Sequence, residues 1–321
     1  AEAPEWAASR WGRESKTYSV TKTAIAANTT DNQTGLSGDY RQAASDFLEL
    51  VRNESIIGQM ARLRRVPAQV HYLKQTESAE ANWVGEGKPA PISNGLFTRS
   101  SLALEKLIAM TITTKELLNE PDTDRALRDD LVAACAEAVD SAFIDPANAG
   151  TTDVKPASIA NGITALTSVG PMAHDIERMV STFGGDLKRA VFIGSPALFT
   201  RLYGADYPNI GARGGEIAGI PAIASNGLPN TDADDYRLAL IDPAAIAYAG
   251  LTTARLKTSE QGTIEMTDAP TQDAPTGSSL VSLWQSGLVA IAAQIDANWE
   301  RQRDDAVVIL ETYFDDMDYS S

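Results

Sequence analysis

The sequence holds one cysteine and only two histidines, the residue types most often used for transition-metal binding and for activating a nucleophile. A lone Cys135 excludes an intrachain disulfide and a cysteine-rich metal site. Its place in an alanine-rich helical run makes it a small buried apolar residue. A Ser-His-Asp arrangement would have to use His71 or His174. His71 falls in an alternating, strand-like stretch and His174 near a helix start beside Asp175, so both read as structural or surface residues. No Gly-x-Ser-x-Gly elbow exists, since Gly194-Ser195-Pro196 breaks the pattern. Gly85-Glu86-Gly87-Lys88 is not a phosphate loop, because Asn82 and Pro89 stand where Gly and Ser or Thr are required. Gly211-Ala212-Arg213-Gly214-Gly215 is not a dinucleotide fingerprint. The acidic pairs Asp129-Asp130 and Asp304-Asp305 face water by pattern, which suits a solvated surface better than a general acid and base. No catalytic, cofactor-binding or metal residue emerges. Active sites are spatial, however, so an enzyme with a dispersed site using His174 and Asp175 stays open as a rival.

Basic residues are scarce too: 27 Lys and Arg face 43 Asp and Glu, for a net charge of −16. Such a chain repels phosphates, so any contact with DNA is expected to be weak. The one basic cluster is Arg62, Arg64 and Arg65, with Lys74 further on; it reads as a solvated strand face or a subunit contact. No apolar run approaches the roughly 20 residues that cross a bilayer, and no membrane partner is expected. The sequons at Asn28, Asn32 and Asn53 carry little weight without a visible secretory signal.

What is present is a sequence of distinct segments. Residues 1–40 are polar and lack a sustained apolar period, as an N-terminal arm would. Its isolated aromatics, Trp6, Trp11 and Tyr18, suit anchoring on a neighbour, although a disordered tail fits as well. Residues 41–60 predict an amphipathic helix through Phe47, Leu50, Val51 and Ile57. Val66, Ala68, Val70 and Tyr72 alternate as in a strand. A Gly/Pro loop follows at 82–91, and then Leu102, Leu104, Ile108, Met110 and Ile112 share one face, broken by Lys106. Together, 62–112 predict a long projecting hairpin. A hairpin is marginal in water by itself and makes sense lying on another subunit. Residues 122–144 predict a helix on the order of 33 Å long, capped by Asp122, with Leu127, Leu131, Cys135, Val139 and Phe143 at four-residue spacing. From about 171 to 295 helix-like and strand-like pieces alternate, notably strands at 191–193, 220–224 and 238–241, with later ones near 254–258, 262–267, 279–284 and 287–295. A strand over 307–310 and an acidic tail with Glu311, Asp315, Asp316 and Asp318 close the chain.

Three runs carry a family resemblance. Trp83-Val84-Gly85-Glu86-Gly87-Lys88-Pro89, followed by Lys106-Leu107-Ile108-Ala109 and Thr113-Thr114-Lys115-Glu116-Leu117-Leu118, resembles the extension loop of tailed-bacteriophage major capsid proteins and the lead into their spine helix. Glu216–Ser225 with Leu228-Pro229 is similar to the turn and strand of that family's axial domain. Leu240-Ile241-Asp242-Pro243 with Ala247-Tyr248 is similar to a Gly-Asp-x-x-x-Tyr region, although no Gly precedes Asp242. The resemblance covers roughly 60 to 320 in the family's order. It implies the α+β Hong Kong 97-type fold: N-terminal arm 1–40, N-terminal helix 41–60, extension loop 61–113, peripheral domain with spine helix 114–160, axial domain 161–295, and a return to the peripheral domain with the acidic tail over 296–321. It further implies self-assembly into hexamers and pentamers of an icosahedral shell around DNA, in a virion assembled in the bacterial cytoplasm. Portal, scaffold, maturation protease and cement protein would be the other partners. A start at Ala1 fits removal of a leader by that protease, and fits a chosen boundary equally well. An encapsulin-type cargo shell is the alternative with the same fold. The expected subunit-interface residues are Trp83, Gly85, Glu86, Gly87, Lys88, Arg62, Arg64, Arg65, Trp6 and Trp11. Lys88 is also the candidate for a covalent cross-link, with no partner identified.

Overall fold

The computed structural model describes residues 36–75, 82–89, 91–92, 97–120, 122–204, 206–230, 235–266 and 280–313. Trp6, Trp11, Tyr18 and the acids beyond 313 lie outside these. The chain divides into two units, 1–44 and 45–321, and every sheet described below belongs to the second.

The first helix, α1, spans Leu36–Glu54, and a short α2 follows at Ile56–Gln59, capped by the Ser55 hydroxyl. Phe47, Leu48, Val51 and Ile57 are buried. Leu50 is not: a period of 3.6 turns it toward water, and Leu48 takes the inward place.

The next elements are β1 (Arg64–Arg65), β2 (Tyr72–Gln75), β3 (Phe97–Ser100) and β4 (Glu105–Thr114). The long predicted hairpin is therefore divided. Gln69, at φ 58°, breaks the first arm, so only Tyr72–Gln75 pairs antiparallel with Phe97–Ser100. Strand β4 leaves the hairpin altogether and joins the body. A short α3 (Lys115–Leu118) leads into α4 (Thr123–Ile144), a 22-residue helix. Asp122 occupies the cap position but in the left-handed region, with no capping bond from its side chain, contrary to expectation.

After α4 come β5 (Leu166–Thr167), α5 (Met172–Thr182), β6 (Val191–Gly194), α6 (Pro196–Leu202), β7 (Ile210–Gly211), β8 (Gly214–Ile217), β9 (Ile220–Ala224) and β10 (Asp235–Ile241). Then follow β11 (Ile246–Ser259), β12 (Thr263–Glu265), β13 (Leu280–Ser282), β14 (Leu288–Arg301) and β15 (Val307–Tyr313). Two main sheets result. One has the order β5-β15-β10-β6-β9-β8-β7; the other is β1-β11-β14-β4. The seven-stranded sheet packs with α5 and α6 around Phe192, Leu198, Phe199, Met179, Leu238 and Leu240.

Two strand placements differ from the sequence expectation. Strand β15 runs between β5 and β10 in the seven-stranded sheet and does not return to the sheet beside α4. Conversely, β11 and β14 are each 14 residues long and pair with each other, and β14 also pairs with β4. Short local windows located these strands but could not reveal that two of them are long ribbons. The pair bends where its register shifts between Gly250 and Ala254. Gly250 has φ 93°, and a Cβ there would lie 2.2 Å from the Asp296 carbonyl oxygen, so the bulge requires glycine.

Helix α4 packs against β4, and Phe143 meets Trp299 of β14 edge to face at 5.3 Å. Cys135 is fully buried, as expected, and burial pushes its thiol up to about 11. Asp140, an acid off the four-residue stripe of α4, is 5% exposed. Its carboxylate accepts the Ile56 N–H at 2.8 Å and the Ser225 hydroxyl at 2.8 Å. It thereby ties α2, α4 and the turn after β9 together. Gly227 lies against the same point; a Cβ there would come within 2.7 Å of Asp140 backbone.

Burial pushes the Asp140 carboxyl up to about 6, against those two bonds, which pull it down. With the folded value above the unfolded one, the stabilisation is complete below about pH 4 and is lost as pH rises through about 6. Asp140→Asn keeps the acceptor for Ile56 but carries no charge. Denaturant unfolding at pH 4 and pH 7 should show the variant gaining on the wild type by on the order of 2–3 kcal/mol across that interval. Asp140→Ala should lose about 1–3 kcal/mol at pH 4 by orphaning a buried N–H. Parallel pH profiles for wild type and Asp140→Asn would refute the assignment.

Candidate interaction surface

The anticipated loop is where the sequence placed it. Residues 82–89 are all exposed. Lys88 N–H donates to the Gly85 carbonyl at 3.1 Å, closing a turn, and Gly87 sits at φ 75°. Trp83 is 105% exposed, so its ring packs on nothing in its own loop. Glu86 and Lys88 have no described ion-pair partner.

Further apolar side chains crowd the same part of the chain. Leu73, Ile92 and Phe97 are 54%, 92% and 58% exposed. On β4, Ile108 and Met110 are 57% and 58% exposed. The register explains this. Leu107, Ala109 and Glu105 pair with Ile295, Ala293 and Ala297, whose side chains are buried. The alternate residues Lys106, Ile108 and Met110 pair with Asp296, Gln294 and Ala292 on the opposite face. Of the alternating residues that the sequence put on one face, Ile108 and Met110 therefore point outward, whereas Leu102 is 5% exposed and packs in the body with Val66 and Tyr72. Alternation marks one face of a strand but does not say which residues of it the body covers.

The hairpin is fastened at its root by a polar cluster that the sequence did not announce. Glu300, near the end of β14, accepts from the Tyr72 hydroxyl at 2.5 Å, the Ser100 hydroxyl at 2.5 Å and the Lys74 ammonium at 3.0 Å. Gln302 donates to the Tyr72 oxygen at 3.3 Å. Burial works to raise the Glu300 carboxyl, but the donors from Ser100, Tyr72 and Lys74, with the lysine charge, outweigh it and hold it below the ordinary carboxylate range. Its contribution is thus present above that range and lost as pH falls through the lowered value.

The arginine cluster is exposed at Arg62, Arg64 and Arg65. Arg64 and Arg65 form β1, parallel to β11 at Ala247 and Tyr248. Arg64 lies 5.7 Å over the Tyr72 ring and reaches the Leu73 carbonyl at 3.3 Å. No described contact brings this cluster to Trp83, Gly85, Glu86, Gly87 or Lys88. Arg64 also lines a polar cleft of about 270 Å³ with Arg189, Asp242, Gln302 and Arg303.

The rival constellation does not form. His71 and His174 are both exposed. The buried Asp175 carboxylate is taken by the Ser168 hydroxyl, the Val169 N–H and Arg178.

The profile of the phage capsid family matches residues 40–273. A capsid polyprotein of Pseudomonas phage PAJU2 is 33% identical over 315 residues, covering 91% of this chain and 47% of that protein. The chain thus spans about half the length of this curated relative. A solved structure from Gordonia phage Cozz has a TM-score of 0.56 at 16% identity, covering 83% of this chain and 87% of that one. The capsid of a native GTA particle gives 0.53 at 16% identity, with 80% and 89% covered. A structure from Mycobacterium phage Cain gives 0.53 at 16%, with 91% and 96% covered.

If Glu300 pins the hairpin root, Glu300→Ala should cost about 1–3 kcal/mol in denaturant unfolding. It should also speed protease cleavage between residues 73 and 99. Unchanged cleavage and unchanged stability would show that the cluster does not hold the hairpin.

Proposed function

From the premise that this chain belongs to the phage capsid family, we propose that it is the major capsid protein of a tailed bacteriophage, which assembles with copies of itself into hexamers and pentamers of a shell enclosing double-stranded DNA. Its fold is α+β, of the Hong Kong 97 type. The observation that carries the proposal is the outward apolar surface: Trp83, Ile92 and Phe97 around the loop, with Ile108 and Met110 on β4, are all more than half exposed. Large exposed apolar side chains recurring along one stretch of chain are what an interaction surface requires. The loop 82–89, with its hairpin, acts as the extension loop, α4 as the spine helix, and the seven-stranded sheet with α5 and α6 as the axial domain. Because β11 and β14 pair with β4, they belong with the spine side in this scheme, and β15 belongs with the axial side.

Trp83 is the anchor. A fully exposed tryptophan on a glycine-flanked turn loses little in its own monomer when truncated, yet such rings dominate interfaces. The arm residues Trp6 and Trp11 serve as secondary anchors. Portal, scaffold, maturation protease and cement protein are the accessory partners of this reading, and DNA is contained and only weakly held. The encapsulin alternative gains nothing from these relatives, which are phage capsids.

Trp83→Ala should stay within about 0.5 kcal/mol of wild-type stability and lose on the order of 2–4 kcal/mol per intersubunit contact. Sedimentation and negative-stain microscopy should show folded subunits and few particles. Normal particle yield from the variant would remove Trp83 as the anchor. Absence of particles from the wild-type chain across protein concentration and salt would remove the capsid proposal itself.

A further inference from the structure

Resting on the capsid proposal, we infer that the polar cleft at the hairpin root receives the Gly85-Glu86-Gly87 tip of a second copy, so that copies join tip to root. The cleft is lined by Arg64, Arg189, Asp242, Gln302 and Arg303. Asp242 is 1% exposed, and its carboxylate is already engaged by Arg189 at 3.3 Å, Arg303 at 3.7 Å and the Asp186 and Ala244 N–H groups. Arg189 and Arg303 also meet Asp186 and Asp305. Arg64 has no described carboxylate partner. It leans over Tyr72, and its charge is open to a ligand.

Gln302 supplies the second observation. It is 6% exposed, its amide nitrogen is spent on Tyr72, and its Oε1 atom has no hydrogen-bond partner. A buried acceptor left unpaired is costly and uncommon in a native structure. The cleft therefore lacks three things at once: a negative charge for Arg64, an acceptor for the buried Arg189 Nε and an N–H donor for Gln302. A DNA phosphate brings the first two and no N–H. A peptide carrying an acidic side chain brings all three.

The chain itself contains such a peptide. Glu86 is exposed, has no described partner, and stands between two exposed glycines. The turn is already closed by the Lys88 N–H and the Gly85 carbonyl, so little ordering is needed. The same turn carries Trp83, so the contact is continuous with the proposed apolar interface. The cleft sits where the hairpin leaves the body, since Arg64 and Gln302 both touch Tyr72. A tip docking at the next copy's root is a heterologous contact, which closes into rings when the rotation permits. This supplies the hexamers with a pairing rule between unlike surfaces.

The test is a charge exchange in the full chain. Arg64→Glu and Glu86→Arg should each leave subunits folded, as judged by melting, and reduce particle yield at least tenfold. The double variant should recover most of that yield. An equimolar mixture of the two single variants should also recover six-fold rings, because unlike roots and tips then alternate, whereas five-fold rings cannot alternate and should stay rare. Wild-type levels of assembly by both single variants, or failure of both the double variant and the mixture to recover, would overturn the inference while leaving the capsid proposal in place if wild type assembles. Loss of packaged DNA with normal assembly in Arg64→Glu would assign the cleft to nucleic acid instead. Loss of assembly on deleting 314–321, with Glu86→Arg assembling normally, would assign it to the acidic tail; either outcome overturns the choice of Glu86.

Discussion

The molecule is organised about the alternation of side chains along one strand, β14. Trp299 turns inward and meets Phe143 of the long helix; its neighbour Glu300 turns to the other face and holds Tyr72, Ser100 and Lys74 at the hairpin root. Because successive residues of a strand point to opposite faces, one segment joins the rigid body to the projecting element without a linker. A one-residue slip would bury Glu300 and expose Trp299, so the register is strongly specified.

The same alternation decides what β4 presents. Its pairing with β14 commits Leu107 and Ala109 to the helix side and leaves Lys106, Ile108 and Met110 outside. An outward apolar row on a strand is a liability for an isolated monomer and an asset for a subunit that is covered by its neighbours. The fully exposed Trp83 and the unpaired Gln302 oxygen fit the same description. Each is unfavourable in a lone chain, and each would be resolved by a second copy.

Asp140 plays a different part. It sits inside the body and joins α2, α4 and the turn after β9 through two hydrogen bonds. Its burial makes that junction sensitive to pH near 6. Of the residues at four-residue spacing along α4, Leu131, Cys135, Val139 and Phe143 are buried, and Leu127, in the first turns, is only partly so. That stripe leaves Asp140 off it, yet Asp140 is buried, because helical period registers one contact face, whereas this helix is enclosed on more than one side at its C-terminal end.

Sequence alone determined the elements that depend on local chemistry. The long helix, the Val191–Ile193 strand and the Gly/Pro loop that carries Trp83 all follow from period and turn residues. Only the tertiary structure decided which strands pair over long distances. It sent β4 into the body, placed β15 beside β10 and gathered Glu300 and Gln302 around Tyr72, residues more than 220 positions away in the chain. The physical reason is that alternation gives a strand two faces without saying which is inside. Pairing partners, set by packing of the whole chain, make that choice.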